Sequence, residues 1–295
     1  MNGFLGEIGK KTAERWLSLL ALPGVLYLAC VVVATTLGHE HALDVGKLSE
    51  QITRWSTGPA LKSVGGTVLV LVALLLGSVG VGLLVAAFGA LIEMLWMLPG
   101  RRRPARWLTD LRRERSREAK RKVDRLTNPL ELAGAIAAAD RICLLEADRP
   151  TWIGDRIRVT RTRVMSVYGL DLDVSWPRLW LIIPEETRKE LSAARDALTA
   201  SARLNAWAVL YLVLTVWWWP AMLVALTTQA AAVIRGRSAT SRLAELIEAT
   251  VDLHAADLES RLRPLQESFS DPQAGPRLTT LMRKGRWDPD STMGK

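Results

Sequence analysis

Cysteine, histidine and the smaller aromatic residues are scarce in this chain: its 295 residues hold 2 Cys, 3 His, 3 Phe and 3 Tyr. Two thiols cannot build a disulfide scaffold, and Cys30 sits in an apolar run while Cys143 lies among charged residues, so no bridge between them is expected. His39 and His41 are two apart and do not share a helix face, so His39, Glu40, His41 and Asp44 are read as a solvated loop start and not a metal site. With 21 Gly and 13 Pro the chain is neither collagen-like nor compositionally disordered. No Gly-x4-Gly-Lys-Ser/Thr loop, dinucleotide fingerprint or Gly-x-Ser-x-Gly elbow occurs, and the glycines from Gly77 to Gly82 fall inside an apolar run. No catalytic residue and no cofactor site is expected, and the chain is not read as an enzyme.

What is present is hydrophobicity, 49% of residues, beside 23% charged residues, with a mean hydropathy of +0.13. That balance suits a chain half in a membrane and half in water. Trp16 to Gly38 carries no charge over about 23 residues, enough helix at 1.5 Å per residue to cross a hydrocarbon core of about 30 Å. It is too long for a signal-peptide core, and no cleavage site follows it. Ser63 to Ile92 is a second uncharged span. Within it Ser78, Gly82, Ala86 and Ala90 recur every fourth residue, a small-residue face suited to close helix contact within or between protomers. Thr67, Ser78 and Glu93 are the candidate pore-lining residues should the span line a channel.

A third apolar stretch, Leu204 to Ile234, is interrupted by Trp217, Trp218, Trp219 and Pro220. A single kinked span would leave three indoles at the bilayer midplane, whereas a hairpin places them at an interface, where an apolar ring with one wet N–H belongs. Arg188, Lys189, Arg195 and Arg203 precede the stretch and Arg235, Arg237 and Arg242 follow it, so both flanks look cytoplasmic. The hairpin is preferred, with arms of only about 22 to 26 Å.

The net charge of +9 is concentrated. Between Arg101 and Arg125 twelve Lys and Arg face four Asp and Glu, and Trp107 is the sole aromatic there. Nucleic-acid binding needs stacking residues or a recognition module, so the block reads as a cytoplasmic topology determinant, with Arg101, Arg102, Arg103 and Arg106 meeting anionic lipid headgroups. Within it, Thr109 to Asp124 reads as a solvated helix; Asn128-Pro129 should open another, rich in Ala and Leu to Glu146. Arg156 to Val164 fits a strand by alternation and a helix over a longer window; the helix is chosen, ended by Gly169, with Leu170 to Val174 extended before Trp176-Pro177. Pro184 with Glu185 and Glu186 should start a long helix. Leu243, Ile247, Val251, Leu258 and Leu262 continue the helical period, and the remainder reads as a flexible tail.

The segments Asp148-Arg149-Pro150-Thr151-Trp152-Ile153-Gly154-Asp155, Tyr168-Gly169-Leu170-Asp171, Trp176-Pro177-Arg178-Leu179-Trp180 and Pro184-Glu185 resemble those of a family of bacterial, notably actinobacterial, integral membrane proteins without an assigned activity. The resemblance covers about a quarter of the chain and implies a membrane location alone. Trp176, Arg178 and Trp180 are candidate partner-docking residues, two indoles and a guanidinium able to pack and stack.

The expected fold is all-α: a helical integral membrane protein with two long spans, a Pro-broken membrane hairpin and a cytoplasmic helical domain. Residues 1–15 are cytoplasmic, 16–38 and 63–98 are spans around an external loop 39–62, 99–202 are a cytoplasmic helical domain, 203–235 the hairpin, 236–266 a C-terminal helix and 267–295 the tail. Arg outnumbers Lys 30 to 9, as in a GC-rich bacterial genome, which points to an inner membrane with both termini cytoplasmic. No ionisable residue lies near a span centre, against a proton- or sodium-coupled transporter. The expected function is a membrane-anchored interaction or signalling protein whose cytoplasmic helices bind a partner. The alternative is a homo-oligomeric channel regulated by those helices.

Overall fold

The computed structural model describes residues 22–58, 63–100, 105–125, 147–262 and 274–282. Among them regular structure is entirely helical: α1 (Leu22–Leu37), α2 (Val45–Ser56), α3 (Val64–Trp96), α4 (Ala105–Asp124), α5 (Trp152–Tyr168), α6 (Leu172–Ile182), α7 (Glu185–Leu214), α8 (Ala221–Leu262) and α9 (Ala274–Met282). Two of them, α3 and α7, contain windows long and apolar enough to cross a membrane, and α1 is a shorter apolar helix. The basic residues Arg101, Arg102 and Arg103, the Asn128-Pro129 helix, Cys143 and residues 16–21 of the first span lie outside the described residues. The chain divides into two compact units, Met1–Glu93 with Thr199–Ile234 and Met94–Leu198 with Arg235–Lys295.

In the first unit α1 and α3 approach at backbone distance. A Cβ placed on Gly24 would overlap the Ser78 carbonyl oxygen, and one on Gly89 would lie 3.1 Å from Arg203 Cγ. The buried residues of α3 are Ser78, Gly82, Val85 and Gly89, so the small-residue face continues differently from the predicted one. Ala86 is half-buried and Ala90 exposed. The correction follows from helix geometry: at 3.6 residues per turn each i,i+4 step drifts about 40°, whereas steps of four, three and four hold one direction. Tyr27, Trp207 and Tyr211 pack edge-on and tilted, with ring centroids 5.4 to 6.4 Å apart, between clusters that include Ala34, Leu214, Ala221 and Ala225 on one side and Val85, Ala206 and Leu210 on the other. Helix α7 ends at Leu214; amides from Thr215 to Trp217 bond the third carbonyl back as the chain tightens, and α8 begins after Pro220. Trp218 Nε1 donates to the Ala42 carbonyl at 2.9 Å, and His39 Nε2 lies 2.9 Å from the Val216 carbonyl, tying two turns together.

The run 39–62, read as a loop, contains α2. Asp44 caps it by accepting from the Lys47 amide, and His41 pairs with Lys47, so these polar groups serve a helix start.

In the second unit α5 starts at Thr151, whose hydroxyl accepts from the Gly154 amide at 3.1 Å, and ends at Gly169, whose φ of 64° is left-handed. The stretch predicted as extended, Leu170 to Val174, instead enters α6. Asp171 caps it through the Asp173 amide at 3.1 Å, and burial of Ser175 and Leu179 holds the helix although Pro177 lacks a donor inside it. Helix α8 runs unbroken for 42 residues, so the expected C-terminal helix is a continuation and not a separate element. The tail contains α9: Thr279 Oγ1 donates to the Gly169 carbonyl and accepts from the Asp171 amide, both at 3.3 Å, and Gly275 lies so close that a Cβ would overlap the Tyr168 carbonyl oxygen. Sequence composition marked this segment as flexible because its docking uses backbone and hydroxyl contacts in place of an apolar stripe.

Candidate functional site

Trp176 and Trp180 are one helical turn apart on α6 and so share a face, with ring centroids 6.2 Å apart and planes at 46°. Both are half-buried. Ile157 of α5, Leu191 of α7 and Leu243 and Ile247 of α8 complete the apolar wall of a cleft of about 460 Å³, with Ser192, Arg195 and Asp196 at its edge. Arg178, two residues from each indole, falls on another side of α6 and donates to its own helix at the Val174 carbonyl, 2.8 Å away. The expected trio is therefore split by the helical turn: the two indoles meet in the cleft and the guanidinium does not line it. A cation stacked on an indole occurs elsewhere in the unit, where Arg237 lies 5.3 Å from the Trp152 ring centroid.

A buried ionic knot lies at the start of α5. The Asp155 side chain is 4% exposed; it meets Arg112 at 2.6 Å and Arg158 at 3.4 Å and accepts from the amides of Asp148 and Arg149 at 3.2 and 3.1 Å. Arg113 binds the Ala147 carbonyl and Asp148. Helix α4 is thus not the solvated helix of the sequence reading: Thr109 and Ser116 are buried, and two of its arginines are committed to carboxylates. Arg106 is exposed and pairs with Asp110 at 3.8 Å. Arg149 donates to the Met97 carbonyl at 2.6 Å and Thr151 to the Trp96 carbonyl at 3.0 Å, so a cation and a hydroxyl satisfy carbonyls at the end of α3. Burial, followed by the nearby Arg161 charge, lowers the Arg149 pKa from its usual value. Gly154 is required there, because a Cβ would overlap the Trp96 carbonyl. Arg149 and Asp155 were visible in the sequence only as members of the Asp148–Asp155 segment, and their partners were not, since Arg112 lies 43 residues from Asp155 and Met97 lies 52 from Arg149.

A second polar set joins α5 to α8. Glu248 accepts from Arg156 at 2.8 Å and Thr160 at 2.7 Å, while Asp252 accepts from Arg163 at 3.1 Å and the Tyr168 hydroxyl at 2.8 Å. The Asp252 bond raises the Tyr168 and Arg163 pKa values, because each is bonded in its protonated form. Near this set a cleft of about 430 Å³ is crossed by the Arg161–Asp173 ion pair at 2.8 Å.

The predicted pore or packing residues separate. Ser78 and Gly82 are buried inside the first unit, where Ser78 lies at backbone distance from Gly24. Thr67 is half-buried and donates to the Ser63 carbonyl at 3.2 Å; Glu93 is half-buried and Ala90 exposed. Among the described residues no group of His, Cys, Asp and Glu is placed to hold a metal ion. No known protein family, curated protein or solved structure matches this chain, so the Trp176–Trp180 element stands on its own geometry.

Proposed function

We propose that the protein is a membrane-anchored interaction protein whose second unit binds an amphipathic helix of a protein partner in the Trp176–Trp180 cleft. The observation that carries the reading is this cleft: two half-buried indoles and four aliphatic side chains form a wall edged by Arg195 and Asp196. Such a volume suits a few apolar side chains of a helix laid in a groove, with the opposite charges at the edge fixing its direction. Anchoring is supported by α3, of whose most apolar 18-residue window only 17% is buried. Leu69, Leu71, Leu75 and Leu76 are each more than half exposed, a continuous apolar surface that water does not tolerate on this scale. The arginines after α3 favour the cytoplasmic side of a bacterial inner membrane for α4, in a multi-pass arrangement with both termini cytoplasmic.

A photo-crosslinking amino acid at Ser192, on the lip of the cleft, tests the reading in intact cells. The expected result is one protein adduct of discrete mass that is lost on Ile247→Asp or Arg195→Glu, with membrane retention of the chain unchanged. No adduct, or one indifferent to both substitutions, overturns the cleft as a docking site. Release of the chain from membranes by alkaline carbonate overturns the anchoring.

A further inference from the structure

Helix α2 is strongly two-faced, and among the described residues its apolar side is largely uncovered: Val45, Ile52 and Trp55 are exposed and Leu48 is half-buried. Val45, Leu48, Ile52 and Trp55 fall within about 80° of one another around a helix of 3.6 residues per turn. Lys47, Glu50 and Arg54 occupy the opposite side, where Arg54 and Glu50 pair at 3.4 Å. No residue of α2 is buried, and Val45, Ile52 and Trp55 are 75%, 54% and 42% exposed.

We infer that α2 is a lipid-binding element lying flat in a membrane interface, with this face at the boundary between headgroups and acyl chains. The inference rests on the membrane reading of α3. At 12 residues, about 18 Å long, α2 is too short to cross a bilayer, yet it is placed in the chain between the apolar helices α1 and α3. Its start is fixed at the end of the first unit that carries exposed tryptophans. The bonds from Trp218 to Ala42 and from His39 to Val216 join residues 39–42 to the Trp217–Trp219 turn, where Trp217 and Trp219 are 52% and 45% exposed. Exposed indoles with an accessible N–H are the side chains that settle at headgroup depth, and Trp55 adds a third from α2 itself. A second copy of the chain fits less well: four side chains offer a few hundred Å², against the roughly 800 Å² per partner of a stable interface. The charges of α2, Lys47 and Arg54 against Glu50, nearly cancel, so insertion is driven by apolar burial and should not need anionic lipid.

The test uses the full chain, carrying Cys30→Ala and Cys143→Ala, in phosphatidylcholine vesicles. A polarity-sensitive fluorophore is attached to single cysteines replacing Ile52, Glu50 or, on α3, Leu76. The expected result is that the probe at 52 emits to the blue of that at 50, shows several-fold weaker quenching by iodide, and is quenched more by a nitroxide near the headgroup than by one near the chain end. Leu76 should show the reverse nitroxide order, and added phosphatidylglycerol should leave the 52 signal unchanged. A probe at 52 as iodide-accessible as that at 50, with 76 quenched by lipid nitroxide, overturns the inference while leaving α3 in the membrane. A probe at 52 shielded from both iodide and nitroxide overturns it in favour of a second copy. A probe at 76 that no lipid nitroxide reaches removes the membrane reading and this inference with it.

Discussion

A methyl group added at Gly24 would overlap the Ser78 carbonyl oxygen, and neither backbone can yield without moving a helix. Gly24→Ala should therefore destabilise the first unit by about 1–3 kcal/mol, read as a fall in thermal midpoint in detergent, whereas Gly65→Ala, which meets open space, should not. Asp155 is the corresponding sensitive residue of the second unit. Asp155→Asn removes the charge that Arg112, 16% exposed, is committed to, and should cost about 3 kcal/mol or more in a denaturant or thermal-shift measurement. Restoring a match with Arg112→Met in the same chain should recover part of the loss. Tyr168 carries a pH dependence of defined sign. Its folded pKa is raised above the ordinary value of 10.0 because the hydroxyl donates to Asp252, so the bond contributes fully below pH 10 and is lost as pH climbs through the raised value. The stability difference between the protein and its Tyr168→Phe variant should shrink above pH 10, and the variant should lose a late phenolate step in ultraviolet titration.

The helices differ in how far they can be read locally. Helix α5 was legible because its apolar period is helical and Gly169 supplies the left-handed end; α7 was legible from Pro184-Glu185-Glu186. Helix α6 was misread since Trp176-Pro177 argues for an extended connector, and only the burial of Leu179 with Leu170, Val164 and Val251 overrides the missing donor. Helix α9 was hidden for the opposite reason: it docks through Gly275 and Thr279 on a corner that exists only once α5 and α6 are in place. Gly275→Val should undock it. Hydrogen exchange should then speed up at Asp171, whose amide donates to Thr279, with little change at Asp155.

On the scale of the whole chain, α7 and α8 each contribute residues to both compact units, so neither unit is a contiguous piece of sequence. Helix α3 is long and apolar enough to cross a membrane, and the proposed anchoring assigns it to lipid. A charge at Leu76, 65% exposed near its middle, should oppose insertion by about 3 kcal/mol. Leu76→Arg should accordingly lower the carbonate-resistant membrane fraction, while Leu61→Arg, ahead of the helix, should not.

Local features of the sequence determined that α3 is a long apolar helix, from the length of its hydrophobic run, that a break falls at Trp217–Pro220, from the tryptophans and the proline, and that the helical period returns beyond Leu243, from its spacing. The two indoles of the candidate cleft were likewise visible as residues. Their partners were not, because Ile157, Leu191 and Ile247 come from three other helices and carry no mark of facing Trp180. Tertiary structure also decided which small residues of α3 are buried, since 3.6 residues per turn rotate a fourfold spacing away from its neighbour. It decided, finally, that Asp155 holds Arg112 of the basic block, because a buried carboxylate selects its cation by proximity in space and not in sequence.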